Sequence, residues 1–117
     1  MHIYKIFRAP EWAAMQAGGE TLGAPVDLAD GYVHFSTKDQ VKETVTKWFA
    51  GEEGLHILAC DSDAMAPHIK WEPSRGGALF PHLYRALRME DILWVKSLPL
   101  GPDGHLFPED LCQRINE

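Results

Sequence analysis

The sequence predicts an α+β fold: a compact single domain of short mixed or antiparallel strands with one main helix packed on a sheet. Three observations carry this expectation. Short segments alternate apolar and polar residues, as half-buried strands do. One segment, residues 37–49, instead repeats its apolar side chains at helical spacing. Gly, Pro and Asp mark the joints between them. A chain of 117 residues can bury one core and is too short for two. A strand-rich barrel with one helix is the alternative arrangement of the same pieces.

Taken in order, residues 2–7 read as a strand, with Ile3, Lys5 and Phe7 on one face and Tyr4 and Ile6 on the other. Pro10 suits the first turn of a helix and Glu11 its positive end; Trp12, Met15 and Gln16 follow at helical spacing, and Gly18-Gly19 ends it. Residues 20–30 read as an extended loop with a short turn at 26–29. Residues 32–37 read as a strand, Tyr32, His34 and Ser36 on one face and Val33 and Phe35 on the core face. Thr37 with Gln40 has the capping-box pattern, and Val41, Val45, Trp48 and Phe49 form an apolar stripe closed by Gly51. Strands are then expected at 55–60, 69–71, 83–87 and 92–98, with Pro81 limiting where the third of these begins. The domain is expected to span 1–100, with 101–117 a tail or a short helix over 108–115.

Composition narrows the function classes. Apolar content of 45% and charged content of 24% are globular values, so disorder of the whole chain is not expected. A net charge of −6 disfavours general nucleic-acid binding, which calls for a basic field. Cys60 and Cys112 are read as separate thiols in a reducing compartment. No apolar stretch reaches membrane-spanning length, and the N-terminus lacks the apolar centre of a signal peptide, so the expected location is the cytoplasm. No Rossmann or P-loop glycine pattern and no metal-ligand spacing occurs; a metal site would need His34, His82, Glu72 and Asp61 to converge.

The stretch IKWEPSRGGALFPHLYRAL, residues 69–87, concentrates the residues that do chemistry: Lys70, Trp71, Glu72, Arg75, His82, Tyr84 and Arg85 around Gly76-Gly77. Aromatic and ionisable groups beside paired glycines suit a functional loop on a rigid scaffold. The bland alternative is a hairpin with aromatics packed inward and charges solvated. The only comparable concentration is the Tyr32–His34–Ser36 face. His34, Ser36, Glu72, Arg75, His82 and Tyr84 are therefore expected to line one concave pocket, with Tyr4 or Lys5 at its edge and Arg75 holding an anion through its guanidinium fork.

Three blocks, IYKI at the start, DGYVHFST before the long helix and KWEPSRGGALFPHLY in the second half, together resemble the bacterial family called domain of unknown function 952, over residues 3–100. That resemblance implies a fold similar to ADP-ribosyltransferases, with two sheets around a nicotinamide-dinucleotide cleft. It makes NAD the expected substrate or ligand, in a transferase-like or glycohydrolase-like reaction. His34 and Ser36 then face the ligand, Glu72 or His82 takes the late catalytic position, Tyr84 stacks on a ring, Arg75 pairs the pyrophosphate, and Trp71 is a further ligand-binding residue. Lys5 departs from the family pattern, since relatives carry His there. The alternative is a non-catalytic ligand- or protein-binding module on a degenerate transferase scaffold, with Trp71, Phe80 and Tyr84 as its recognition surface.

Overall fold

The computed structural model describes residues 1–74 and 77–108. Its elements run β1 (His2–Phe7), α1 (Ala9–Gly18), β2 (Glu20–Thr21), α2 (Pro25–Asp30), β3 (Val33–His34), α3 (Lys38–Trp48), β4 (Leu55–Asp61), β5 (Ile69–Pro73), β6 (Leu79–Leu83), β7 (Leu87–Arg88), β8 (Ile92–Leu98), β9 (Leu100–Gly101) and β10 (Gly104–His105). The architecture is α+β, built from antiparallel pairs.

Two three-stranded sheets dominate, in the orders β1-β4-β8 and β3-β6-β5. One bridge joins them: Tyr4 and Ser36 exchange backbone hydrogen bonds of 2.8 and 2.9 Å. Hydrogen-bonded pairs recur every second residue along an antiparallel ladder. The next pair would be His34 with Ile6, but the strands part there, and the sheet forks.

Alternation assigns the two faces. Ile3 and Phe7 of β1 pack with Val33, Phe35, Leu58, Cys60 and Leu83 in an inner core, together with Trp12 and Met15 of α1. Tyr4 and Ile6, one residue out of phase, pack with Val41, Val45, Ile57 and Leu98 beneath α3. Helix α3 opens at Thr37, whose backbone N–H donates to Gln40 Oε1 at 2.9 Å, as its capping pattern predicts. Gln40 Nε2 also donates to the Leu79 carbonyl at 2.7 Å, tying the first helical turn to β6. Thus α3 covers β1-β4-β8 and leaves the same face of β3-β6-β5 open.

Several boundaries differ from expectation. The loop predicted over 20–30 contains β2 and the whole of α2. The strand expected over 32–37 is only Val33–His34, because Ser36 has already changed partners to β1. The strand expected over 83–87 is two strands, and Pro81 lies inside β6. Trp48 is 54% exposed, while Phe49, the next residue of the expected stripe, packs against the α3-side core. Past residue 100, β9 and β10 form a hairpin, and Phe107 packs against the α3-side core, so the folded unit continues beyond the expected boundary. The expected helix over 108–115 and Cys112 fall outside the described residues but for Pro108, which is in no helix.

Leu58 is fully buried at the centre of β4. Leu58→Ala should cost about 2–5 kcal/mol, whereas Leu28→Ala, at a side chain 59% exposed on α2, should stay within about 0.5 kcal/mol of the parent. Urea titrations of the two variants check this contrast.

Candidate functional site

The site begins at the fork. Helix α2 starts with Ala24 as N-cap and Pro25 in its first turn, and Asp27 occupies the third helical position. There its Oδ2 accepts the Ala24 backbone N–H at 2.7 Å. Gly31, at φ 88°, ends the helix and returns the chain into β3. Gly23, at φ 108°, passes so close that any Cβ would collide with the Asp27 carboxylate. Asp27 is completely buried. Its Oδ2 also accepts from Lys5 Nζ at 2.7 Å, and its Oδ1 accepts the His34 backbone N–H at 3.0 Å and faces His34 Nδ1 at 2.5 Å. Lys5 arrives from the inner face of β1 and His34 from the opposite face of β3. The two meet because Asp27 fills the gap between the strands, where it takes the N–H that β1 no longer reaches.

Burial pushes the Asp27 carboxyl upward, but the His34 bond and the Lys5 charge and bond outweigh it, holding it below the usual carboxylate range. Burial lowers Lys5 from its ordinary value, and the Asp27 and Glu11 carboxylates restore only part of the loss. Each group is tolerable inside only because of the other.

On the open face of β3-β6-β5, His34 lies opposite His82, and His82 opposite Lys70. Glu72, two residues after Lys70, shares their face. The Tyr32 ring stacks on His82 with centroids 4.2 Å apart and planes 24° apart, and lies 5.1 Å from the Tyr84 ring. The two histidine rings meet edge-on at 5.2 Å. Glu72 Oε1 is 2.7 Å from His82 Nδ1 and accepts the Tyr84 hydroxyl at 2.7 Å. The bond from Tyr84, then that from His82, holds the Glu72 carboxyl below its ordinary range. The same bond pushes the Tyr84 hydroxyl up to about 12, so at neutral pH it remains a donor. Lys70 Nζ sits 4.8 Å from the centroid of the Tyr84 ring. His82 is only 3% exposed, while Glu72, Tyr84 and His34 each keep about a third of their side chain or surface open.

The structure therefore brings together His34, Glu72, His82 and Tyr84, with Lys5 one step inward through Asp27. It separates the others. Tyr4 is buried beneath α3. Ser36 shares the His34 face but is covered, its Oγ 3.0 Å from Thr44 Oγ1 of α3. Trp71 pairs with Pro81 and alternates onto the opposite face of β5 from Glu72, so Trp71, Phe80 and Tyr84 do not form one surface. Arg75 lies outside the described residues. The cluster lines neither of two surface cavities, of about 570 and 810 Å³, although Tyr4 borders the first. The cluster lies on a partly open face of the sheet. Among the described residues no three His, Cys, Asp or Glu are disposed to hold a metal ion. The Cys60 thiol is buried and pushed up to about 12, which suits packing and not nucleophilic work. No helix among the described residues is long and apolar enough to cross a membrane.

Sequence reasoning missed Asp27 and Asp30, whose Oδ2 is 3.0 Å from His34 Nε2. The available signal was Pro25 followed two residues later by Asp27, with Gly31 as the stop: a short capped helix.

Fold and site together define a forked-sheet α+β protein with a histidine- and tyrosine-lined outer face. The chain belongs to the family described as "Protein of unknown function (DUF952)", which matches residues 6–95. It is similar to protein CC0527 from Caulobacter crescentus, whose crystal structure shares 42% identity at a TM-score of 0.90, covering 96% of this chain and 99% of that one. The solution NMR structure of CC0527 matches at a TM-score of 0.81, with 42% identity, over 99% of this chain and 98% of that one. No curated protein matches the sequence.

Two outcomes follow from the Asp27 geometry. Gly23→Ala should destabilise by more than about 1 kcal/mol, since it adds backbone strain at positive φ to a collision with the carboxylate; thermal melts check this. Folding also favours ionised Asp27, whose folded pKa lies below its unfolded one. Its contribution is whole above the unfolded value of about 3.9, fades as pH falls through the folded value, and is gone below it. Asp27→Asn should therefore lower stability at neutral pH and flatten its decline into acid, read from urea midpoints across pH.

Proposed function

We propose that the outer face of β3-β6-β5 binds a nicotinamide dinucleotide or a related nucleotide, and that the protein acts on its N-glycosidic bond, by ADP-ribosyl transfer or glycohydrolysis. The carrying observation is an ionised Glu72 carboxylate held by His82 and Tyr84 beside open tyrosine rings. Cleavage of such a bond builds positive charge on the ribose, and a fixed carboxylate stabilises it. A ring of the ligand stacks against Tyr32 and Tyr84. Lys70 supplies positive charge for phosphate, and Arg75 is the residue assigned to the pyrophosphate by its chemistry. His34 orients the ligand from the β3 edge. The ADP-ribosyltransferase-like fold that the resemblance of the three sequence blocks implies leads to the same assignment, and a cytoplasmic location goes with it.

A second reading, a non-catalytic binding module, is favoured by one observation: Glu72 Oε1 is already engaged by two partners. The two readings diverge on turnover. With NAD at a hundred times its dissociation constant, stability should rise by about 2.7 kcal/mol, visible as a thermal shift of several degrees. The enzyme reading adds release of nicotinamide, which Glu72→Gln should slow by about 100-fold or more while the thermal shift survives. A flat thermal response at millimolar NAD would sink the enzyme reading and the NAD-binding module alike, leaving only a protein-binding module, and binding without nicotinamide release would leave only the second reading.

A further inference from the structure

His34 has carboxylates at both ring nitrogens. Nδ1 faces Asp27 Oδ1, and Nε2 faces Asp30 Oδ2 at 3.0 Å. The two carboxylates are unlike. Asp27 is wholly buried and fixed by the Ala24 N–H, the His34 N–H and Lys5, whereas Asp30 is about half exposed at the end of α2. A carboxylate only accepts hydrogen bonds, so Nδ1 beside ionised Asp27 must carry a proton. With that proton placed, a neutral ring has its lone pair on Nε2, which Asp30 repels. A charged ring has a second N–H there, which Asp30 accepts. Asp27 therefore grips the ring in both protonation states, and Asp30 in only one.

We infer that Asp27 is a positioning residue that holds the His34 ring with Nε2 turned outward, and that Asp30 occupies the place of a ligand atom on that nitrogen. This rests on the ligand-site reading above, and it assigns a role to two carboxylates which that reading does not use. The support is structural. The His34 backbone N–H and ring are held by one carboxylate oxygen, so a turn of the ring gives up its bond to the same oxygen that closes the fork. Lys5, from the opposite face, fixes the other oxygen. Among the described residues Asp30 has no comparable set of contacts holding it to the fold.

The test begins on the parent protein without ligand, by histidine ¹⁵N NMR at neutral pH. The His34 Nδ1 resonance should be that of a protonated, hydrogen-bonded nitrogen; an unprotonated Nδ1 overturns the proposal, whatever the ligand turns out to be. In Asp30→Ala the Nε2 resonance should move and Nδ1 should not, and a shift of Nδ1 instead overturns the assignment. With NAD as the probe, Asp30→Ala should bind severalfold more tightly than the parent and Asp27→Asn severalfold more weakly. Tightening absent in Asp30→Ala, where the parent binds, removes the placeholder role. If neither protein binds NAD, the ligand reading and the placeholder role built on it both fail, and the Nδ1 resonance alone still decides whether Asp27 positions the ring. Should Asp27→Asn not fold, Lys5→Met, which leaves Oδ2 with the Ala24 N–H alone, serves in its place, with the His34 Nδ1 signal expected to broaden or shift.

Discussion

The Asp27 carboxylate is the interaction on which the rest of the structure depends. A forked sheet leaves backbone groups on the parting strands without their ladder partners, and a buried orphan N–H costs about 1–3 kcal/mol. Asp27 accepts the His34 N–H that the fork releases. It also accepts the N–H of Ala24, the N-cap of its own helix, and its charge is matched by Lys5. A lone buried carboxylate would be untenable; one with four donor contacts on two oxygens is not. The glycine at position 23 completes the arrangement by leaving room for those oxygens.

That arrangement explains why the polar cluster lies where it does. Helix α3 covers the face of the sheet that carries Tyr4 and Ser36, then ends its reach at the Gln40 contact with Leu79. Beyond it the same face runs on uncovered through His34, His82 and Glu72. An uncovered sheet face ordinarily carries solvated side chains. Here the rings of Tyr32, His82 and Tyr84 lie against one another, and His82 is nearly buried by neighbours on its own face. The result is a shielded histidine bonded to an accessible carboxylate, a combination that packing alone does not require.

How far the sequence revealed this follows from which signals were periodic. β1, α3 and β4 were legible because each buries at least one regular face, and the in-phase and out-of-phase residues of β1 go to two different cores as its alternation implied, whereas in β8 a register shift sends Ile92 and Trp94 to different cores. Helix α2 was not legible: six residues bury too little to leave a period, and an aspartate between Pro and Gly looks like a solvated turn. For the site, residue type located His34, Glu72, His82 and Tyr84. Alternation also tells that Ser36 shares the His34 face, but no local pattern says that Thr44 of α3 will cover it. Trp71 shows the converse, since proximity in sequence to Glu72 places it on the opposite side of a strand.

Pro81 and Asp27 are two consequences of one cause. Proline is out of place in a central strand, because it lacks a ladder donor. Yet β6 lies between β3 and β5, and Pro81 is inside it. Its carbonyl accepts the Phe35 N–H at 3.0 Å, so the missing donor of the same residue also points toward Phe35, away from β5. Phe35 is the residue at which the chain is leaving β6 for β1. The ladder with β5 loses nothing, and the ladder with β3 was ending there already. A strand of two residues thus permits a proline on one side and needs an aspartate on the other. His34, lying in that strand between the two, has its backbone tied to the fork and its ring on the open face. The change of partners that divides the sheet is what sets the ring at the edge of the site.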